Sequence, residues 1–472
     1  MSSLTNPCIQ GVIVYVGFFG LATWRWLGHW DREKKFARFY NYINGFFLLI
    51  ACLFTFECVL FILAVVRDFR VANHIISSSS TVSPANQSGV EMLGNFLNSP
   101  LTPFQQPLAV ASNASFIHAN TSMASLQHEK ASHPVEVVSD ALHIDLDPKV
   151  LHWPVMWVRV LVLASPAIFV LIFFLTFLQS RTHLRIIRET RNETAIWEHD
   201  RVLNIILVPV VYGVMVFCAL VHVYYITTSE LQSAIEAGGH QSLDTQAAIN
   251  AFATLVYIAD TYEAWTLYQF GQLTCDILKR TLAPRESADV ERSDGQGELT
   301  AAAAFGAVSN VMWVGTWLFV LTCCAEAGWA LIQWFVAQDP QSFQESMNRF
   351  IYAGLVASAA AIYNVHTVES TFGHYIPGYM PFTKFLSVKL LVFFSYWQEY
   401  VLESLRLVHI LPFTDVEMKL LQASLLMLEC LVGSIVHTWA WDYREGWYAP
   451  DVDSRASEKT PLTAGKWLSP FG

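Results

Sequence analysis

The chain is poor in charge. Asp, Glu, Lys and Arg make up 14% of its 472 residues, where a soluble globular domain carries about 25%, and mean hydropathy is positive at +0.38. That shortfall excludes an ordinary soluble protein. Cysteine is present but forms no disulfide framework: Cys8, Cys52, Cys58, Cys218, Cys275, Cys323, Cys324 and Cys430 fall in or beside apolar runs, where a free thiol behaves as a small hydrophobe. The neighbouring Cys323 and Cys324 read the same way rather than as a metal or redox pair. No basic run interleaves with aromatics, and the formal net charge is -11, so nucleic acid is not expected as a partner. The chain also lacks a Walker phosphate loop, a His-Glu-x-x-His helix, a nucleophile elbow and a dinucleotide fingerprint. ATP-driven, metal-dependent or cofactor-using chemistry therefore has no motif to rest on, and no enzyme is expected.

What the chain has in abundance is long apolar runs. Hydrophobic residues make up 54% of it, and a helix of about 20 apolar residues crosses a bilayer. Nine such segments occur, at 8–24, 42–66, 153–178, 202–225, 250–275, 305–337, 350–371, 383–404 and 416–440. The expected fold is all-α, a polytopic transmembrane helix bundle in contact with the lipid bilayer. The first segment is short, but no Lys or Arg precedes Arg25, so it lacks the positive start of a cleaved signal and is read as a span.

Lys and Arg concentrate in cytosolic loops, and alternate loops differ here in that sense. One set holds Arg25, Arg32, Lys34, Lys35 and Arg38, then Arg181, Arg185, Arg188, Arg191 and Arg201, then Lys279, Arg280, Arg285 and Arg292, then Lys384, then Arg444, Arg455, Lys459 and Lys466. The other set holds Arg67, Arg70, Lys130 and Lys149 in one very long loop and only Arg349 and Arg406 in its short loops. Nine spans with the N-terminus outside or lumenal and the C-terminus cytosolic satisfy this bias. Segment 67–152 then lies on the non-cytosolic side. It has the low-hydrophobicity composition of a disordered loop and carries the sequons at Asn86, Asn113 and Asn120. The expected organisation is two N-terminal spans over 1–66, that loop, a helical domain over 153–440, and a cytosolic tail over 441–472.

Ionisable residues inside the apolar segments are the sharpest functional signal. A charge at mid-membrane depth costs about 2.5–3.5 kcal/mol on insertion scales, so it is retained where it meets a partner, a cavity or a substrate. Segment 250–275 carries Asp260-Thr261-Tyr262-Glu263-Ala264. At about 100° per residue, Tyr262, Thr266, Gln269 and Asp276 share a narrow arc with Glu263 at its edge, expected to face a bundle interior or an aqueous cavity. Segment 383–404 carries Lys389, Tyr396 and Glu403 at heptad spacing. Lys389 needs an acid, with Asp260, Glu263 and Glu429 the candidates. Lys384 and Arg159 lie near span ends and are expected to snorkel to water. Glu57, Glu326, the pair Glu429 and His437, and the pair His366 and Glu369 complete a polar interior.

These motifs resemble the organic solute transporter alpha subunit family, which includes the transmembrane protein 184 group and the plant Lazarus-type proteins. Asp260-Thr261-Tyr262-Glu263-Ala264 with Tyr268 and Phe270 is similar to the family's Asp-x-Tyr-Glu-Ala helix. Lys384-Phe385 through Lys389 to Phe394-Ser395-Tyr396-Trp397-Gln398 is similar to its Lys-Phe-x-x-x-Lys helix ending in Trp-Gln. Arg201 with Val208-Pro209, Tyr363-Asn364-Val365, and Glu429 with His437 follow in family order, so seven family helices map onto residues 153–440, preceded by two extra spans. Residues 279–300 contain no Cys where animal relatives are cysteine-rich, and Asn310 and Glu326 stand where relatives often carry a basic group.

The resemblance implies facilitative movement of amphipathic organic solutes, steroid-like or organic anions, through a polar intramembrane cavity. The residues it implicates are Asp260, Tyr262, Glu263, Gln269, Lys389, Tyr396, Trp397, Gln398, Glu429 and His437. It implies no cofactor or metal, and a single-span partner subunit or homo-oligomer; the membrane is the plasma membrane or an endolysosomal or vacuolar one. The rival class is a non-transporting scaffold or receptor in trafficking or signalling.

Enzymatic deglycosylation of the protein from a secretory-competent host should sharpen and lower its band on a gel. Replacing Asn86, Asn113 and Asn120 together by Gln should abolish that shift, whereas Asn192→Gln, in the sequon Asn192-Glu193-Thr194 on the expected cytosolic side, should leave it unchanged.

Overall fold

A computed structural model describes residues 32–80, 156–190, 192–236, 246–290, 301–336, 340–376, 379, 381–408, 410–411 and 413–448. Among these residues the fold is all-α, with no strand. The helices are α1 (Arg32–Ser80), α2 (Met156–Glu189), α3 (Glu193–Ile206), α4 (Val208–Glu236), α5 (Gln246–Val290), α6 (Ala301–Val336), α7 (Pro340–Phe372), α8 (Pro381–Leu407) and α9 (Asp415–Ala440). The expected span at 8–24, Cys8 and the sequons at Asn86, Asn113 and Asn120 lie outside the described residues.

Helix α3 was not expected as a separate element. Its start is set by Asn192, whose side chain accepts the Thr194 N–H at 3.0 Å, one of the orphan donors of a helix N-terminus. Its end is set by Pro209, which has no N–H to continue the ladder and tolerates the first turn of the next helix. The chain therefore breaks at Leu207 and restarts as α4. At the far end of the bundle, Thr414 and Glu417 form a capping box that fixes the start of α9, with Thr414 N–H donating to Glu417 Oε2 at 2.9 Å and Glu417 N–H to Thr414 Oγ1 at 3.3 Å.

Helix α4 is apolar all round from Val210 to Val221 and is enclosed all round, as such a helix must be. It is flanked by α1, α2, α5 and α9. Aromatic rings fill the seam between α1, α2 and α4: Phe54 lies 4.6 Å from Phe169 and 5.1 Å from Phe217 between ring centroids. Helix α5 continues outward from α4 and is bordered by α3, α6, α7, α8 and α9. Helices α6 and α7 run along each other closely enough that a Cβ on Gly315 would strike the Asn364 side chain, which instead donates to the Val311 carbonyl at 3.3 Å.

Among the described residues five segments are long and apolar enough to cross a membrane: Ile43–Val71, Trp157–Glu189, Glu193–Ser233, Ala304–Gln333 and Asp415–Ala440. The segments at 250–275, 350–371 and 383–404 form helices α5, α7 and α8, which carry Asp260 and Glu263, His366 and Glu369, and Lys384 and Lys389. These polar residues lower their hydropathy. Large apolar side chains such as Phe174, Leu178, Val314 and Leu321 lie exposed on the outer faces of α2 and α6, which is where lipid would lie.

One expectation is corrected at the joint between α1 and the rest. Arg159 does not snorkel. Its guanidinium pairs with Asp68 of α1, donating from Nε at 2.8 Å, and Tyr224 Oη of α4 donates to the same carboxylate at 2.6 Å. Asp68 is only 3% exposed, so α1 is keyed onto α2 and α4 by a carboxylate with donors from both. Arg159→Met should leave Asp68 under-coordinated and lower the melting temperature of the detergent-solubilised protein, equivalent to about 1–3 kcal/mol. Adding Asp68→Asn should recover part of the loss; an unchanged melting curve would remove this joint from the account of stability.

Candidate functional site

Four consecutive residues of α5 each turn to a different neighbour. Successive side chains on a helix diverge by about 100°, so a polar tetrad cannot face one wall. Asp260 Oδ1 accepts from Tyr212 Oη of α4 at 3.0 Å. Thr261 Oγ1 donates to the Cys323 carbonyl of α6 at 3.1 Å. Tyr262 Oη donates to the Asn204 carbonyl of α3 at 3.0 Å. Glu263 Oε1 receives Lys389 Nζ of α8 at 3.3 Å. At this level α5 is held from all sides.

The Glu263 and Lys389 pair is the centre of the arrangement. Glu263 is 0% and Lys389 5% exposed, and the ammonium also lies 4.7 Å from the centre of the Phe319 ring, a favourable cation–π contact. Of the three acids expected as partners for Lys389, Glu263 is the one within reach. Its second oxygen, Oε2, has no hydrogen-bond partner among the described residues. Glu326, buried on α6, lies near Asp260, and Cys323 sits among Asp260, Glu326, Glu263 and Lys389. The Glu263 and Lys389 pair thus has Asp260 and Glu326 as acidic neighbours.

The arc of Tyr262, Thr266, Gln269 and Asp276 faces α3 rather than an open cavity. Tyr262 bonds Asn204 of α3, and Asp276 forms an ion pair with Arg201 of the same helix. Thr266 returns its hydroxyl proton to the Tyr262 carbonyl at 2.8 Å, while Gln269 is half-buried. The remaining expected residues are dispersed along α8 and α9. Gln398 Nε2 donates to the Gln422 carbonyl at 3.4 Å. Trp397 is 57% exposed, on the outer surface. The side chain of Tyr396 lies outside the described residues. Glu429 is half-buried, with Oε2 unpartnered among the described residues. His437 is buried, its Nε2 3.0 Å from the Ser387 carbonyl.

Lys384 was expected to snorkel and does the opposite. It is 1% exposed, donating to the Ala440 carbonyl at 2.6 Å and pairing with Glu445 at 2.6 Å. The rings of Trp441, Tyr379 and Trp447 surround it at 5.1–5.7 Å. Burial pushes the Glu445 carboxyl above the ordinary carboxylate range, and Lys384 beside it pulls it back part of the way. Arg280 completes this end, pairing with Glu198 and donating to the Trp447 carbonyl at 2.5 Å. The chain after α9 therefore folds back across one end of the bundle. Tyr212 and Glu445 had given no sequence signal: one is a lone Tyr in an apolar run, the other an acid in a polar tail.

No group of His, Cys, Asp and Glu side chains among the described residues is arranged to hold a metal ion. What fold and site define is a polytopic helical membrane protein with an ion pair enclosed in its interior. Residues 245–446 match the family model described as organic solute transporter Ostalpha, and through that segment the chain is similar to a family of membrane solute transport. The matched region runs from the start of α5 through α9 to the returning segment, and so contains Asp260, Glu263, Lys384 and Lys389. No curated protein and no solved structure matches the chain.

Lys389→Glu alone places a second carboxylate against Glu263, and a buried pair broken in this way is destabilised by about 3–5 kcal/mol. The exchange Glu263→Lys with Lys389→Glu should restore much of the monodisperse protein lost in either single variant. A swap of Lys389→Glu with Asp260→Lys should restore none, and a failure of both swaps would remove the pairing.

Proposed function

We propose that the protein moves amphipathic organic solutes across a membrane down their own gradient, with steroid-like and other organic anions as the substrate class. The observation that carries this reading is the half-satisfied ion pair: Glu263 holds Lys389 through one oxygen at 3.3 Å and leaves the other unbonded. Such a pair can open. A solute carboxylate, sulfate or sulfonate offers the Lys389 ammonium equivalent charge-assisted hydrogen bonds, and Phe319 and the apolar residues around it offer contact to the solute's body. The match of residues 245–446 to the family model supports the same reading at the coarser level of solute transport. The protein is integral to the plasma membrane or an endolysosomal or vacuolar membrane, with its N-terminus outside or lumenal and the segment after α9 in the cytosol; a single-span partner or a second copy belongs to the same reading.

A second reading, a non-transporting scaffold or receptor, is favoured by a different observation. Each residue from Asp260 to Glu263 is bonded to a neighbouring helix, which is what interhelical glue requires. Uptake into vesicles containing the purified protein separates the two. Under the transport reading Asp260→Asn and Lys389→Met each lower the initial uptake of a sulfated steroid per folded, monodisperse molecule by about tenfold or more, the equivalent of ~1.4 kcal/mol. Absence of uptake by the wild type, together with loss of folding in both variants, assigns the residues to the scaffold.

A further inference from the structure

Among the described residues the site holds more carboxyl groups than its one ammonium can pair with. Lys389 is the cation there, against Asp260 and Glu263 of α5 and Glu326 of α6. The groups brought by the other neighbours do not correct this. Helix α4 contributes the Tyr212 hydroxyl, already on Asp260. Helix α6 contributes the Cys323 thiol. The Arg201 guanidinium of α3 is taken by Asp276. Helix α7 contributes His366 and Glu369, which face each other at 4.0 Å with His366 more than half exposed. On helix α9, Glu429 is half-buried with no hydrogen bond to the pair among the described residues, and His437 is directed to Ser387.

The consequence appears when the ion pair opens. If an anion takes Lys389, Glu263 loses its counter-ion at a position that is 0% exposed, with acids as its remaining charged neighbours. An unpaired carboxylate buried in that way is strongly unfavourable, and the ordinary response of a buried carboxyl is to become neutral. The atom to receive the proton is in place: Glu263 Oε2, buried and without a partner among the described residues.

We propose that Glu263 takes up a proton from the aqueous phase each time an anionic solute replaces it on Lys389, so that the unit transported is the anion together with a proton. This rests on the transport reading and adds a second ligand to its site. One O–H bond forms on the Glu263 carboxyl, Lys389 remains an ammonium throughout, and nothing is oxidised or reduced. The charge of the occupied site equals that of the empty one, and on release of the solute Glu263 gives up its proton and returns to Lys389. A pH difference across the membrane thereby becomes a driving force beside the solute gradient.

The test uses the full chain in vesicles enclosing a membrane-impermeant pH-sensitive dye, with a sulfated steroid added outside as the probe. A sulfate ester stays ionised across the working range and cannot itself ferry a proton. The lumen should acidify in step with uptake at about one proton per anion, and an acidic exterior should raise initial uptake several-fold. In Glu263→Gln the proton-to-solute ratio of whatever uptake remains should fall to near zero. Wild-type uptake with no change in lumenal pH would overturn the proton site and leave the transport reading standing, and a ratio unchanged in Glu263→Gln would overturn Glu263 as its seat. Absence of any wild-type uptake would overturn both readings. The wild-type ratio decides even where the variant fails to fold.

Discussion

A charge enclosed away from water must be met, and that constraint orders this bundle. Apolar packing is plentiful in a chain of this composition but cannot by itself fix how helices rotate against one another, since one aliphatic face fits another in several registers. Four polar contacts around one turn of α5 remove that freedom. With Tyr212, Cys323, Asn204 and Lys389 each engaging a successive residue, any rotation of α5 would strand a buried polar group, at about 1–3 kcal/mol for each one left unsatisfied. The position of Lys389, and hence the register of α8, follows from the same turn.

The two ends of the bundle are held by different means. At one end Asp68 joins α1 to α2 and α4 through Arg159 and Tyr224, and a second buried pair, Glu57 with His222 at 3.6 Å, lies on the same α1–α4 seam. At the other end the returning segment after α9 brings Glu445 to Lys384 and the Trp447 carbonyl to Arg280. His199 stacks on Tyr448 there, with ring centroids 4.0 Å apart. The ion pair of the candidate site lies between these clamps, so solute passing it would have to cross a tethered end on each side. Helix α1 and its polar joints lie outside the segment that matches the family model.

The helical fold was legible because its signal is long: runs of twenty or more apolar residues survive errors of several positions at each end. The acids at Asp260 and Glu263 were legible for the complementary reason, as charges where charge is expensive. What the chain does not encode locally is which helix stands beside which. Lys389 had three candidate acids, and the choice of Glu263 depends on how α8 lies against α5. Lys384 and Arg159 were misread as snorkelling because distance from a span end says nothing of a neighbour arriving from elsewhere; each meets an acid more than sixty residues away in sequence. Trp397 shows the reverse error, since a position within a family motif was no guide to its place on the exposed face of α8. Helix α3 was missed because its apolar residues merge with those of α4, and a single proline carries the break.

Comparison of the buried carboxylates separates locking from exchange. A buried ion pair contributes little net stability unless its remaining lone pairs are also engaged, because desolvation consumes most of the Coulombic gain. Asp68 comes nearer to that condition: Arg159 and the Tyr224 hydroxyl both donate to its Oδ2, the coordination of a fixed joint. Glu263 does not, with one contact at 3.3 Å and one oxygen bare. A pair built only to hold α5 against α8 would be improved by a second donor at Oε2, or by replacement with packed aliphatic side chains, and neither is present. The weakness is accounted for if the ammonium must change partners. An anion competing for Lys389 then has only a modest interaction to displace, while Asp260, kept in place by Tyr212, and Glu326 keep the surroundings too acidic for Glu263 to remain ionised alone. The feature that makes the pair poor as glue is therefore the one that suits it to exchange.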